Sequence, residues 1–144
     1  MLSNSPQETK KLGESFGKKL KGGEVIGLIG QLGGGKTVFV QGIAKGLGIK
    51  EKITSPSFIL MKSYPVKKGK IKNLVHIDCW RIKSENELET IGLEDYLGKK
   101  NTVIVIEWAD KVKKFLPKNS IIFCFKLGKK ENQRIISKKS KYFT

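Results

Sequence analysis

Short apolar runs bounded by glycine alternate with stretches in which apolar residues recur every three or four positions. Residues 24–29 and 102–106 are nearly continuous apolar runs, rich in Val and Ile, and predict strands buried on both faces. Residues 120–126 and 132–138 read as two further strands joined by a turn containing Gly128. Leu12, Phe16 and Leu20 fall on one face of a helix that Ser5 caps, with Pro6 at its first position and Glu8 three residues after the cap. Gly22-Gly23 is expected to end it. Val40, Ile43, Ala44 and Leu47 predict a second helix, with Gly48 as its C-terminal cap. Residues 58–64 and 71–78 predict a β-hairpin turning through 65–70. Ser84 and Glu87 have capping-box spacing and open a short helix through Leu88 and Ile91; Gly92 breaks it, and 93–97 adds a turn. Residues 109–116 read as a helix closed by Pro117. The sum is a three-layer α/β domain with a mixed, partly parallel central sheet and antiparallel hairpins.

One stretch adds chemistry to this pattern. Gly30-Gln31-Leu32-Gly33-Gly34-Gly35-Lys36-Thr37 fits G-x-x-x-x-G-K-[ST] and lies between a predicted strand and a predicted helix, the context a P-loop requires. Glycines there allow positive φ, and successive backbone N–H groups then converge on phosphate oxygens. Lys36 would reach the β- and γ-phosphates, the Thr37 hydroxyl would ligate Mg²⁺, and the helix dipole adds to the attraction. The fold class is therefore a P-loop NTPase fold. The strand 71–78 ends in Asp78, the Walker-B arrangement for an Mg²⁺ ligand; the plainer reading is a turn former. The strand 102–106 runs into Glu107-Trp108. In a parallel sheet the carboxyl ends gather at the P-loop edge, where Glu107 would orient or deprotonate an attacking water. Equally, Glu107 is a surface residue opening the next helix.

At 144 residues the chain reads as one domain, with a frayed basic tail from about 138. No apolar run approaches the ~18 residues of a membrane span, and the N-terminus has no signal-peptide core. Cys79 and Cys124 lack CxxC spacing and read as reduced, buried thiols, so a cytoplasmic location is expected. With 29 basic and 13 acidic residues the net charge is +16. All the cations except Arg81 and Arg134 are lysines, which favours a solvated surface over a dedicated nucleic-acid face. Five acids, Glu85, Glu87, Glu89, Glu94 and Asp95, crowd one segment, as a solvated helix face or a docking patch.

Five blocks together resemble the TsaE (YjeE) family, P-loop ATPases of tRNA threonylcarbamoyladenosine (t6A) biosynthesis, over residues 8–136. They are the P-loop at 30–37, Thr-Ser-Pro-Ser-Phe at 54–58, His-Ile-Asp-Cys-Trp-Arg at 76–81, Glu-Leu-Glu-Thr-Ile-Gly-Leu-Glu-Asp-Tyr at 87–96 and Ile-Glu-Trp at 106–108. The resemblance implies ATP and Mg²⁺ as cofactors, slow ATP hydrolysis, and a TsaB–TsaD heterodimer as partner. TsaD transfers threonylcarbamoyl to adenosine 37 of tRNAs reading ANN codons, and tRNA is met through the complex. It implies that Gln31, Leu32, Gly33, Gly34, Gly35, Lys36, Thr37 and Val38 form the nucleotide loop, with Thr54 in a switch-like loop and Trp108 beside the nucleotide. Lys36, Asp78 and Glu107 are the candidate catalytic residues; Thr37, Asp78 and Glu107 are the candidate metal residues. Val38 departs from the hydroxyl residue usual there, Ser57 from Thr, Trp80 from Tyr, and Ala109-Asp110 from Pro-Glu. Two other readings are a small-molecule kinase, which two arginines disfavour, and a basic RNA-binding module with a vestigial P-loop. No N-K-x-D motif occurs, which favours ATP over GTP.

Overall fold

The computed structural model describes residues 1–31, 33, 35–54, 61–84 and 86–139. They build one seven-stranded sheet. The strands are β1 (Leu2–Ser3), β2 (Val25–Gly30), β3 (Met61–Lys68), β4 (Ile71–Asp78), β5 (Thr102–Glu107), β6 (Ile121–Leu127) and β7 (Arg134–Lys139). Their order is β1-β7-β6-β2-β5-β4-β3. The central pairs β6–β2, β2–β5 and β5–β4 are parallel, and the outer pairs β1–β7, β7–β6 and β3–β4 are antiparallel. This is the mixed sheet predicted, with β1 added at one edge.

Helices α1 (Pro6–Lys18) and α2 (Lys36–Gly46) cover one face. The Ser5 side chain accepts the Glu8 amide at 3.1 Å, and Glu8 reaches back to the Asn4 amide at 2.6 Å, so the predicted cap forms with its return bond one residue earlier. α2 ends as expected: Gly48 takes φ +80°, its N–H bonds Lys45 O, and Ile49 N–H bonds Ala44 O, which is a Schellman motif. Alternation along β2 and β5 sends Ile26, Leu28, Val103 and Val105 into the core beneath these helices. Val25, Ile104 and Ile106 go to the opposite core. That second core lies under α3 (Glu87–Thr90) and two 3-10 segments, Leu93–Asp95 and Ala109–Phe115.

Several boundaries differ from the sequence reading. α1 stops at Lys18, ahead of Gly22-Gly23. α3 starts at Glu87, not at Ser84; Ser84 Oγ instead accepts the Asn86 amide at 3.3 Å. The segment predicted as a helix over 109–116 is instead 3-10 over Ala109–Phe115, entered through a left-handed Trp108 and interrupted at Val112, whose φ/ψ are non-helical. β3 continues through Pro65 to Lys68: at the sheet edge the missing N–H has no strand to serve. Its predicted first part, 58–60, lies outside the described residues. β7 includes Lys138 and Lys139, so pairing extends beyond the expected start of the tail. Cys79 is buried, with its thiol pushed up to about 12 by burial, but Cys124 is only half-buried; both are free. Among the described residues no helix is long and apolar enough to cross a membrane.

Candidate functional site at the carboxyl ends of β2, β4 and β5

The parallel centre of the sheet places the ends of β2, β4 and β5 side by side. β2 hands the chain into the P-loop at Gly30, and α2 begins at Lys36. Gly33 and Gly35 take φ +80° and +95°, conformations in which a side chain is strained. Among the described residues nothing lies within 4 Å of where a Cβ on Gly33 would sit, and Gly33 itself is exposed. Gly35 occupies the N-cap position of α2 without a side-chain cap, which leaves the first amides of the helix available to a ligand.

Lys36 is buried. Its Nζ donates to the carbonyls of Gly30 at 2.5 Å and Gln31 at 2.9 Å, and lies 4.2 Å from the centre of the Trp108 ring. Burial pulls its pKa below the ordinary lysine value; the charges of Glu107, Asp78 and Asp110 oppose that fall. Trp108 reaches this position because its backbone turns left-handed, φ +60°, directly after β5. Among the described residues it is the single non-glycine residue in that region.

Thr37 Oγ1 donates to Glu107 Oε1 at 2.9 Å, and Glu107 Oε2 lies 2.6 Å from His76 Nε2. Glu107 is the last residue of β5 and only 2% exposed, which rules out a surface carboxylate opening a helix. A carboxylate is tolerable at such burial because both oxygens are bonded and a cation is near. Asp78 pairs in register with Glu107 at the ends of neighbouring strands. Its Oδ1 accepts the Trp80 amide at 2.9 Å, so it does form the turn that ends β4, while standing close enough to Glu107 and Lys36 to feel both charges. Burial pushes its pKa up; the Trp80 N–H draws it down, and Glu107 adds to the rise.

The structure thus brings together Lys36, Thr37, Asp78, Glu107 and Trp108. Gln31 is exposed and Val38 half-buried at the start of α2. Thr54 is exposed, next to a buried Ile53 whose carbonyl accepts from Gln41 Nε2 at 3.1 Å. Leu32, Gly34 and 55–60, which hold most of the expected switch-like loop, lie outside the described residues. Two residues with no role in the sequence reading join the site. His76 is one; its place two residues before Asp78, on the same face of β4, was the available signal. Arg134, on β7, is the other: Nε and Nη2 donate to Gly33 O at 3.1 and 2.9 Å, and Nη1 to the carbonyls of Glu131 and Gln133.

Chemically, the site offers left-handed glycines, the amides opening α2, one buried ammonium, and a hydroxyl bonded to a carboxylate with a second carboxylate beside it. Hard oxygen donors in that small number suit Mg²⁺, which keeps waters and phosphate oxygens in its shell. Among the described residues no group of three or more His, Cys, Asp or Glu is set to hold a metal by itself. A triphosphate carrying its own Mg²⁺ fits this donor set.

The family model described as threonylcarbamoyl adenosine biosynthesis protein TsaE matches residues 3–136. A Treponema pallidum protein named tRNA threonylcarbamoyladenosine biosynthesis protein TsaE is 37% identical over 134 residues, covering 93% of this chain and 96% of that one. Its Bacillus subtilis namesake is 34% identical, covering 91% and 79%. A crystal structure of Bacillus subtilis YdiB is similar with a TM-score of 0.75 at 31% identity, covering 94% of this chain and 80% of that chain.

Proposed function

The chain belongs to the TsaE family of tRNA threonylcarbamoyladenosine biosynthesis, and on that premise we propose that it is an Mg²⁺-dependent ATPase. It works as an accessory subunit of a TsaB–TsaD heterodimer that places threonylcarbamoyl on adenosine 37 of tRNAs reading ANN codons. The observation that carries the ATPase reading is the 2.9 Å bond between the P-loop hydroxyl of Thr37 and the buried carboxylate of Glu107, with Asp78 in register beside it. A turn without a ligand has no use for a carboxylate held at 2% exposure against a loop hydroxyl.

In this reading the glycine loop and the first amides of α2 hold the phosphates, and Lys36 moves from the carbonyls of Gly30 and Gln31 onto the β- and γ-phosphates. Thr37, Asp78 and Glu107 hold Mg²⁺ directly or through water. The ion, when bound, neutralises charge developing on the γ-phosphoryl group. Glu107 orients the water that forms the new bond to phosphorus as the bond to the ADP oxygen breaks. Trp108 shields Lys36 from solvent. Turnover is slow in the isolated chain, and the partner complex speeds it.

Hydrolysis is to be measured with the purified chain alone and with TsaB and TsaD, beside Glu107→Ala. The expected result is stimulation by the partners and a roughly 100-fold lower rate in the variant. Equal rates with and without partners would remove the accessory-subunit role, and full activity in Glu107→Ala would remove this catalytic assignment.

A further inference from the structure

Glu107 is the carboxylate on which the ATPase reading turns, and one oxygen of it is committed to a residue with no assigned role. His76 is fully buried in β4, between β3 and β5. Its Nε2 lies 2.6 Å from Glu107 Oε2, while Nδ1 is buried and has no hydrogen-bond partner among the described residues. An orphaned buried N–H is rarer and costlier than an orphaned lone pair. Nε2 is therefore the nitrogen placed to donate, and the histidine donates to the carboxylate.

The torsion that turns a glutamate carboxylate is broad, so one hydrogen bond leaves it free to rotate. Two bonds from opposite sides do not. His76 holds Oε2 from β4, and Oε1 is left facing Thr37 Oγ1 at 2.9 Å on α2. The tie crosses three elements, and its strand end is stiff because β4 is bonded on both sides. We propose that His76 is a positioning residue: its Nε2–H fixes the rotation of the Glu107 carboxylate, and so the alignment of the Thr37–Glu107 pair that holds the metal and orients water. This rests on the ATPase reading. The alternative is a histidine that merely satisfies a buried acid and has no bearing on metal or turnover.

His76 is the one histidine in the chain, so ¹⁵N-histidine labelling gives a single ring spectrum from the unaltered protein. The expected spectrum shows a proton on Nε2, with the Nε2–H signal shifting when ADP is added with Mg²⁺ but not when it is added with EDTA. An Nδ1–H form, or one signal position in both conditions, would overturn the proposal.

The variants His76→Phe and His76→Gln supply the second test. Gln keeps a donor near the position of Nε2; Phe keeps the bulk and removes the donor. In His76→Phe, kcat should fall 10- to 100-fold and the gain in nucleotide affinity on adding Mg²⁺ should disappear, with metal-free affinity unchanged. In His76→Gln both should return to within about threefold of wild type. Folded His76→Phe with wild-type kcat and Mg²⁺ response overturns the proposal, as does folded His76→Gln without rescue. Wild-type protein that neither binds nor hydrolyses ATP sinks the ATPase reading itself, which is a different result. Should His76→Phe not fold, the histidine spectrum decides alone.

Discussion

On one face of the sheet α1 and α2 approach so closely that their backbones touch. A Cβ on Gly13 would stand 2.3 Å from Phe39 O, and one on Gly42 would stand 2.1 Å from Lys10 O. Gly17 and Gly46, one turn further along each helix, are packed the same way. Beneath them Phe16, Phe39, Phe123 and Phe125 interlock, with ring centres 5.0 to 6.3 Å apart. The other face is covered by α3, of 4 residues, and 3-10 segments of 3 and 7 residues. The difference follows the chemistry. Lys36 and Thr37 open α2, so the regular face fixes where these two side chains stand relative to β5. The irregular face contributes Trp108, which needs a left-handed turn that a regular helix could not supply.

The strongest way to break this asymmetry is Gly42→Ala. Backbone surrounds the added methyl, with the Glu14 amide and Gly13 Cα both 2.9 Å away, so no side chain can yield. The helices must separate. We expect a loss of about 3 kcal/mol in urea unfolding and a fall of roughly 10 °C in Tm. Lys45→Ala, on the exposed side of the same helix, should cost under ~0.5 kcal/mol. Equal stability of the two variants would mean that the face is not set by glycine contact.

Arg134→Ala sharpens the comparison at the loop itself. The base of the P-loop is held by β2 and α2, but Gly33 at its crest is exposed and tied by the guanidinium from the far side of β6. Losing two charge-assisted bonds should loosen the crest and weaken ATP binding about tenfold, about 1.4 kcal/mol. Unfolding should change little. Arg134→Lys should not restore affinity, because an ammonium cannot span the same set of carbonyls. Titration with a fluorescent ATP analogue reads both; wild-type affinity in Arg134→Ala would show the contact to be a surface clip.

These two sites also mark where sequence stops being informative. Local signals were legible: the Ser5 cap, the Gly48 ending, the P-loop, and Asp78 and Glu107 at the ends of apolar strands. Each is set by a few neighbouring residues and a period of 2 or 3.6. Gly13 and Gly42 look like weak points in two helices until the helices are laid together. Arg134 meets Gly33 only because β6 pairs beside β2 and β7 turns back along it. His76 meets Glu107 because β4 and β5 are neighbours in a particular register, which no periodicity fixes. β1 is two residues long and pairs with Ile135 and Arg134 at the opposite end of the chain. Pro65 read as a turn because its place at a sheet edge is a tertiary fact.

The smallest effect we predict lies where the two faces meet the site. Burial raises the Asp78 pKa, and nearby Glu107 raises it further. The folded protein therefore binds this proton more tightly than the unfolded chain does. Between the ordinary aspartate value of 3.8 and the raised folded value, stability falls as pH rises, and above that window the cost is constant. Asp78→Asn removes the charge while its side-chain oxygen can still accept the Trp80 amide. In the absence of nucleotide the variant should be more stable at pH 7, and the gap should close as pH is lowered through the window. Thermal unfolding across pH 3.5 to 7 gives the sign directly. On the proposed ATPase reading, the same substitution should weaken Mg²⁺-dependent nucleotide binding. A variant less stable at pH 7 would instead make Asp78 chiefly the residue that turns the chain after β4.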